Sequence, residues 1–322
     1  MTPDVFRQTE IAVIWDFDKT LIPGYMQEPL FRHYNVDART FWSEVKALPD
    51  YLRRHGAELV SEDSIYLNHI LTYVRTGRFP GLNNALLREL GKELRFYPGL
   101  PQFFAAVKDR ISNNSVFQRH DIRIEHYIVS TGLRQMILGT AIAPYVDGVW
   151  GCEFVEHLPE PGFLTNGREI PADQPHVIRD IAYVLDNTTK TRAIFEINKG
   201  VNKFPEIDVN SNIPRDDRRI PFQNMVYIAD GPSDVPVFSL VNQNGGRTFA
   251  VYESGSVQGF AQAVELQRQG RVHAFGEANY EPGTLTYMWI MHAVEDIAGN
   301  IVKKREEALQ TKLGRPPRHL GD

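Results

Sequence analysis

The 322-residue chain holds one cysteine, Cys152. That excludes an intramolecular disulfide and any CxxC pair for zinc or redox chemistry, and leaves a small buried hydrophobe as its simplest role. Long apolar runs are missing too. None approaches the ~18 uncharged residues of a membrane span, and the nearest, 287–294, is broken by His292 and followed by Glu295 and Asp296. There is no basic excess: 35 Lys and Arg face 40 Asp and Glu, a formal net charge of −5, which argues against nucleic acid as the main partner. The first ten residues carry Asp4, Arg7 and Glu10, and the apolar run 11–15 is too short for a signal core. A soluble cytoplasmic protein, with neither membrane nor nucleic acid as partner, is the expectation. Repeats of solenoid length and low-complexity blocks are absent. At 42% hydrophobic and 23% charged residues the chain is no disordered, collagen-like or coiled-coil sequence.

What is present is an alternation of short β-rich runs with longer helical patterns, the mark of a parallel sheet with crossover helices. Strands are expected at 11–15, 126–130, 225–229, 247–252 and 271–275, several of them continuous apolar runs that suit strands covered on both faces. Helices are expected at 101–109, 133–143, 176–185, 191–198, 257–268 and from 285 to about 303. Between the first strand and the Pro98–Gly99 turn the alternation stops, and some seventy residues read as helices. Asp37 caps a run containing Phe41, Trp42 and Val45; Leu67, Ile70, Leu71 and Val74 follow i, i+3, i+4, i+7 spacing; a third run, 82–90, stops at Gly91. The expected organisation is a doubly wound α/β core from 1–22 and 97–308, an all-α insertion at 23–96, and a flexible tail at 309–322. The aromatics Phe31, Tyr34, Phe41 and Trp42 read as the insertion's own core.

The strongest local feature is the strand 11–15 delivering Asp16 and Asp18, with Thr20 beyond. Ligands of open α/β sheets bind at the carboxyl ends of the strands. Two carboxylates this close repel each other unless a proton or cation lies between them, and Mg²⁺ characteristically takes one or two carboxylates plus phosphate oxygens. A second apolar strand, 225–229, ends in Asp230, with Gly231 for a tight turn and Asp234 four residues on. A third ends in Ser130, Thr131 and Gly132, offering a hydroxyl and N–H groups to an anion, although Ser130–Thr131 alone also suits an ordinary helix cap. Lys190 opens a helix where its charge opposes the macrodipole, which acquires meaning only beside an anion site.

In chain order, Asp16/Asp18/Thr20, Ser130, Lys190 and Asp230/Asp234 resemble the four motifs of the haloacid dehalogenase (HAD) superfamily, and the 23–96 insertion resembles its C1-type cap. The layout is nearest the phosphoserine-phosphatase-like branch. The resemblance implies a Mg²⁺-dependent phosphatase acting on a small phosphorylated metabolite. Asp16 would be the nucleophile and Asp18 the general acid and base. Mg²⁺ would lie on the Asp16 carboxylate, the Asp18 main-chain carbonyl and Asp230, with Asp234 either a further ligand or an acid orienting waters. Thr20, Ser130, Thr131, Gly132 and Lys190 would hold phosphate. Lys199 is a weaker rival to Lys190.

Two features depart from that branch. Its substrate-reading Glu is replaced here by Tyr25, with Glu28 one helical turn later, so phosphoserine does not carry over as substrate. The gap 204–220, with Arg215, Asp216, Asp217, Arg218 and Arg219, is lengthened and reads as a solvated loop. A dehalogenase would need neither Asp18 nor Asp230. A phosphomutase or phosphotransferase would share every site residue, and a non-catalytic phospho-ligand-binding protein would have no use for Asp18.

Overall fold

The computed structural model describes residues 8–166 and 176–313. In chain order the elements are β1 (Glu10–Trp15), α1 (Glu28–His33), α2 (Ala38–Arg54), α3 (Ile65–Arg75), α4 (Asn84–Gly91), α5 (Gln102–Ser112), α6 (Ser115–Arg119), β2 (Arg123–Leu133), α7 (Arg134–Gly139), β3 (Gly148–Val155), α8 (Phe163–Asn166) and β4 (Asp180–Tyr183). There follow α9 (Lys190–Lys199), β5 (Met225–Ala229), α10 (Val235–Gln243), β6 (Arg247–Tyr252), α11 (Val257–Arg268), β7 (Ala274–Glu277) and α12 (Leu285–Leu313). The strands form one seven-stranded sheet in the order β4-β3-β2-β1-β5-β6-β7, parallel except for the edge strand β4. Helices α5 and α12 pack on each other and, respectively, on β2 and on β1 and β5, while α9 and α10 form a second pair against β2 and against β5 and β6. This is the doubly wound α/β core expected. Apart from Glu10 at the start of β1, the central strands β1 and β5 are buried throughout, so their continuous apolar sequences are what a sheet covered on both faces demands.

The chain moves from β1 to β2 on one side, and later returns to lie on β1's other side as β5. The strand order therefore reverses at the β1/β5 pair, where open α/β sheets place their ligands. Register fixes the geometry there: Trp15 lies beside Ile128 of β2 and Ile228 of β5, and the Asp16 N–H extends the ladder to the Ile228 carbonyl at 2.9 Å. Under this edge Trp15 Nε1 donates to His126 Nδ1 at 3.3 Å, and His126 Nε2 lies 3.0 Å from the Phe104 carbonyl. Burial, with Lys108 nearby, pushes this histidine down to about 3, so it is a neutral, satisfied core residue.

The insertion is helical as expected, and Asp37 caps α2 through the Thr40 N–H at 2.9 Å. Its aromatics form its own core: Phe31 lies 4.7 Å from Phe41 and Tyr34 4.9 Å from Phe79, centroid to centroid. Its last helix docks on the core. A Cβ on Gly91 of α4 would come within 2.1 Å of the Met136 carbonyl oxygen, and one on Gly139 of α7 within 1.9 Å of the Arg88 carbonyl oxygen. Only glycines allow these two helices to cross with their backbones in contact.

Four expectations require correction. The stretch 176–185 is not a helix but contains β4; its apolar residues Ile178, Ile181 and Leu185 fall at helical spacing, yet antiparallel pairing with β3 decides the conformation. Strand β3, between β4 and β2, was not legible, because its two glycines and irregular burial carry little strand signal. The last strand lies at Ala274–Glu277 rather than 271–275, and α12 continues to Leu313, past the start expected for the tail; residues 314–322 lie outside the described residues. Finally, the 204–220 segment is not wholly solvated. Arg219 is buried and donates to both oxygens of Glu125 at 2.6 Å.

Candidate active site

Because β1 and β5 are adjacent and parallel, the acids that follow them emerge side by side. One carboxylate oxygen from each of Asp16, Asp230 and Asp234 lies within 4.8 Å of the other two. Lys190, the first residue of α9, is 1% exposed and reaches between two of them, donating to Asp16 Oδ1 at 2.7 Å and to Asp234 Oδ1 at 2.6 Å. Asp234 is fully enclosed, taking further hydrogen bonds from the Tyr227 hydroxyl and, at 2.8 Å, from Ser233 Oγ. Thr20 Oγ1 donates to the other oxygen of Asp16 at 3.3 Å. Asp18 takes the Met26 N–H at 3.0 Å; Lys19, between the acids, holds a positive φ of 57° and directs its ammonium to the Tyr25 hydroxyl at 2.9 Å.

The electrostatics follow from burial and crowding. Burial raises Asp16 and Lys190 lowers it again, while Asp234 adds repulsion, leaving it at about 6. Burial and the neighbouring Asp16 lift Asp18 well above the usual carboxylate range, against the Met26 N–H. Asp230, pushed by burial, Asp16 and Asp234, reaches about 8. Burial alone would lower the Lys190 ammonium, but Asp16 and Asp234 more than offset it and hold it above the ordinary lysine value. The cluster therefore carries more negative charge than Lys190 balances. Its donors are all carboxylate oxygens, a set that suits a hard divalent ion such as Mg²⁺ and not a softer one.

The anion loop differs from its expected form. Strand β2 does not end at Ser130 but runs to Leu133, so Ser130, Thr131 and Gly132 are strand residues rather than a helix start. They lie on the same sheet edge as Asp16, since Ile128 pairs with Trp15, but none hydrogen-bonds to Asp16, Asp18 or Lys190. The Gly132 N–H donates to Ser130 Oγ at 3.0 Å, and the Thr131 carbonyl accepts from the Tyr66 hydroxyl at 2.7 Å. Met26 covers the loop: its sulfur takes the Leu133 N–H at 3.0 Å, and a Cβ on Gly132 would strike its methyl group. Lys199 is no rival to Lys190, because its ammonium bonds the Val209 and Ser211 carbonyls. Cys152 is buried and free, as expected.

Sequence reasoning missed Tyr227, Met26 and Tyr66. Tyr227 sits inside an apolar strand, and the other two come from the insertion, so only the tertiary fold brings them to this edge. Tyr25 and Glu28 line an open groove of about 690 Å³ with Arg32 and Arg95.

No family model matches the sequence. A Borreliella burgdorferi protein described only as uncharacterized is 42% identical over 292 residues, which is 89% of this chain and 98% of that protein. Among solved structures, a HAD-family hydrolase of Salmonella enterica serovar Typhi is similar with a TM-score of 0.47 and 13% identity, over 83% of this chain and 66% of the other. A phosphoserine phosphatase, in a phospho-aspartyl intermediate analogue, gives 0.43 and 13% over 83% and 93%. The chain belongs to one family with the Borreliella protein, and its core is a doubly wound α/β fold with acids at the ends of β1 and β5.

Proposed function

We propose that this protein is a Mg²⁺-dependent phosphatase that hydrolyses a small phosphate monoester through a phosphorylated Asp16. The observation that carries the reading is the buried Asp16–Lys190–Asp234 chain beside Asp230 and Asp18, at the switch point of the sheet. Asp16 supplies an oxygen to attack phosphorus, and Lys190, held in place by Asp234, neutralises the oxygens of the bound phosphate. Burial and Asp16 push the Asp18 carboxyl well above the usual carboxylate range, which favours the protonated form that donates to the leaving oxygen. Once it has done so, the same carboxylate accepts the proton of the water that cleaves the acyl phosphate. Ser130 and the N–H groups of Thr131 and Gly132 are assigned to the phosphate oxygens, with Met26 displaced from the loop. Mg²⁺ held by Asp16, Asp230 and the Asp18 main-chain carbonyl would supply charge compensation between carboxylate and phosphate. Asp234, already accepting from Lys190, Tyr227 and Ser233, is assigned to positioning rather than ligation. The insertion would act as the cap.

The test is turnover of p-nitrophenyl phosphate and of a panel of metabolite phosphates, with Mg²⁺ and with EDTA. Multiple turnovers abolished by EDTA are expected. No phosphate release from any ester would instead favour a phospho-ligand-binding protein.

A further inference from the structure

A second cluster lies outside the acidic site. Glu156 and His157 follow β3 directly, and His176 precedes β4, so the β3–β4 connection brings both segments together. One ligand atom from each of the three residues lies within 4.8 Å of the others. His157 Nε2 is 3.3 Å from His176 Nδ1, and Glu156 Oε2 is 2.8 Å from that same Nδ1, with the two rings nearly perpendicular. Two imidazole nitrogens bound to one tetrahedral ion at about 2.0–2.1 Å would stand about 3.3 Å apart. The observed spacing is that of such an edge. The Glu156 oxygen needs to withdraw by only a few tenths of an ångström to match it.

The cluster is anchored. Glu156 keeps its other oxygen, Oε1, on the N–H of Asn84 at the start of α4, at 2.7 Å. Asn84 Nδ2 donates to the Phe154 carbonyl at 3.0 Å, and two residues beyond His176 the Ile178 N–H donates to the Leu82 carbonyl at 2.8 Å. Both ligand-bearing segments are thus held against the helical insertion. His157 Nδ1 is inaccessible to water and has no hydrogen-bond partner, so this ring offers only its Nε2 edge, the one facing His176.

We propose that Glu156, His157 and His176 form a site for a borderline divalent transition ion of the Zn²⁺ class, with a fourth position open to water, that ties the β3–β4 connection to α4. Two nitrogens and one carboxylate discriminate against Mg²⁺, which takes oxygen donors, so this site and the aspartate cluster would select different metals. The proposal does not depend on the phosphatase reading.

Zn²⁺ binding to the full chain, measured by equilibrium dialysis with Mg²⁺ in large excess to occupy the aspartate cluster, tests it. About one Zn²⁺ per chain is expected, reduced at least tenfold in affinity by His176→Ala and by His157→Ala. Co²⁺ should give the visible absorption of a tetrahedral nitrogen-ligated ion in the wild type and not in His176→Ala. His176 is exposed, so that variant keeps its fold, which circular dichroism checks. Equal Zn²⁺ uptake by wild type and His176→Ala, or none by either, would overturn the proposal and leave a hydrogen-bonded His–His–Glu cluster.

Discussion

Replacing Asp230 by Asn should stabilise the metal-free protein at alkaline pH while removing most of its response to Mg²⁺. With every group ionised, Asp16, Asp230 and Asp234 against Lys190 leave two uncompensated negative charges. At the 4.8 Å limit that bounds their separation, each like-charge pair is worth about 3.5 kcal/mol at an effective dielectric of about 20. Asp230 makes two such pairs, and burial adds to them. The protein relieves this by taking up a proton, which is why Asp230 rises to about 8. The native state then binds a proton that the unfolded chain has already lost once pH exceeds the ordinary carboxylate value. Metal-free stability must therefore fall as pH climbs from about 4 to about 8, by a ceiling on the order of 5 kcal/mol for this group. Asn mimics the protonated acid, so Asp230→Asn should match the wild type below about pH 4 and exceed it by a growing margin up to about pH 8. A smaller slope below about pH 6 should persist from Asp16. In the wild type, Mg²⁺ at about one hundred times its dissociation constant should restore about 2.7 kcal/mol. Thermal and urea unfolding across this pH range, with EDTA and with excess Mg²⁺, measure both effects. The reasoning fails if variant and wild type share one pH slope, or if Mg²⁺ stabilises both equally.

Three further outcomes follow from named contacts. Asp18→Asn should release nitrophenolate in a near-stoichiometric burst and then slow by about 10²- to 10⁴-fold. A phosphorylated chain should be visible by intact mass, and Asp16→Asn should show neither burst nor adduct; steady turnover without an adduct in Asp18→Asn would rule out the covalent route. Gly139→Ala forces a methyl group into the Arg88 carbonyl and should cost about 1–3 kcal/mol in urea unfolding, whereas Gly255→Ala, with nothing within 4 Å of its Cβ position but a positive φ, should lose only the backbone preference, about 1 kcal/mol. Arg219→Ala strands the half-buried Glu125 carboxylate and should cost about 3–5 kcal/mol; unchanged stability would show that water reaches Glu125.

How legible the site was depended on how local its chemistry is. Asp16, Asp18, Asp230 and Asp234 could be found because Asp16 and Asp230 directly follow strands whose continuous apolar sequences announce burial on both faces, with Asp18 two and Asp234 four residues further on. The α/β class, the helical insertion and the cap at Asp37 were readable for the same reason, since periodicity and capping act over a few residues. Position in the sheet was not readable. Arg219 looked like one of five solvated charges until β2 brought Glu125 opposite it, and 176–185 looked helical until β3 gave it an edge to pair with. Lys190 was a lysine at an unfavourable helix end until the fold placed two carboxylates around its ammonium. Sequence alone determined which strands are covered on both faces and which acids follow them, because a buried backbone must pair and an apolar strand must be covered. The tertiary structure decided which charges meet, that Tyr227 closes off Asp234, and that Met26 rests on the anion loop. Those contacts join residues up to 174 positions apart, and no local pattern encodes them.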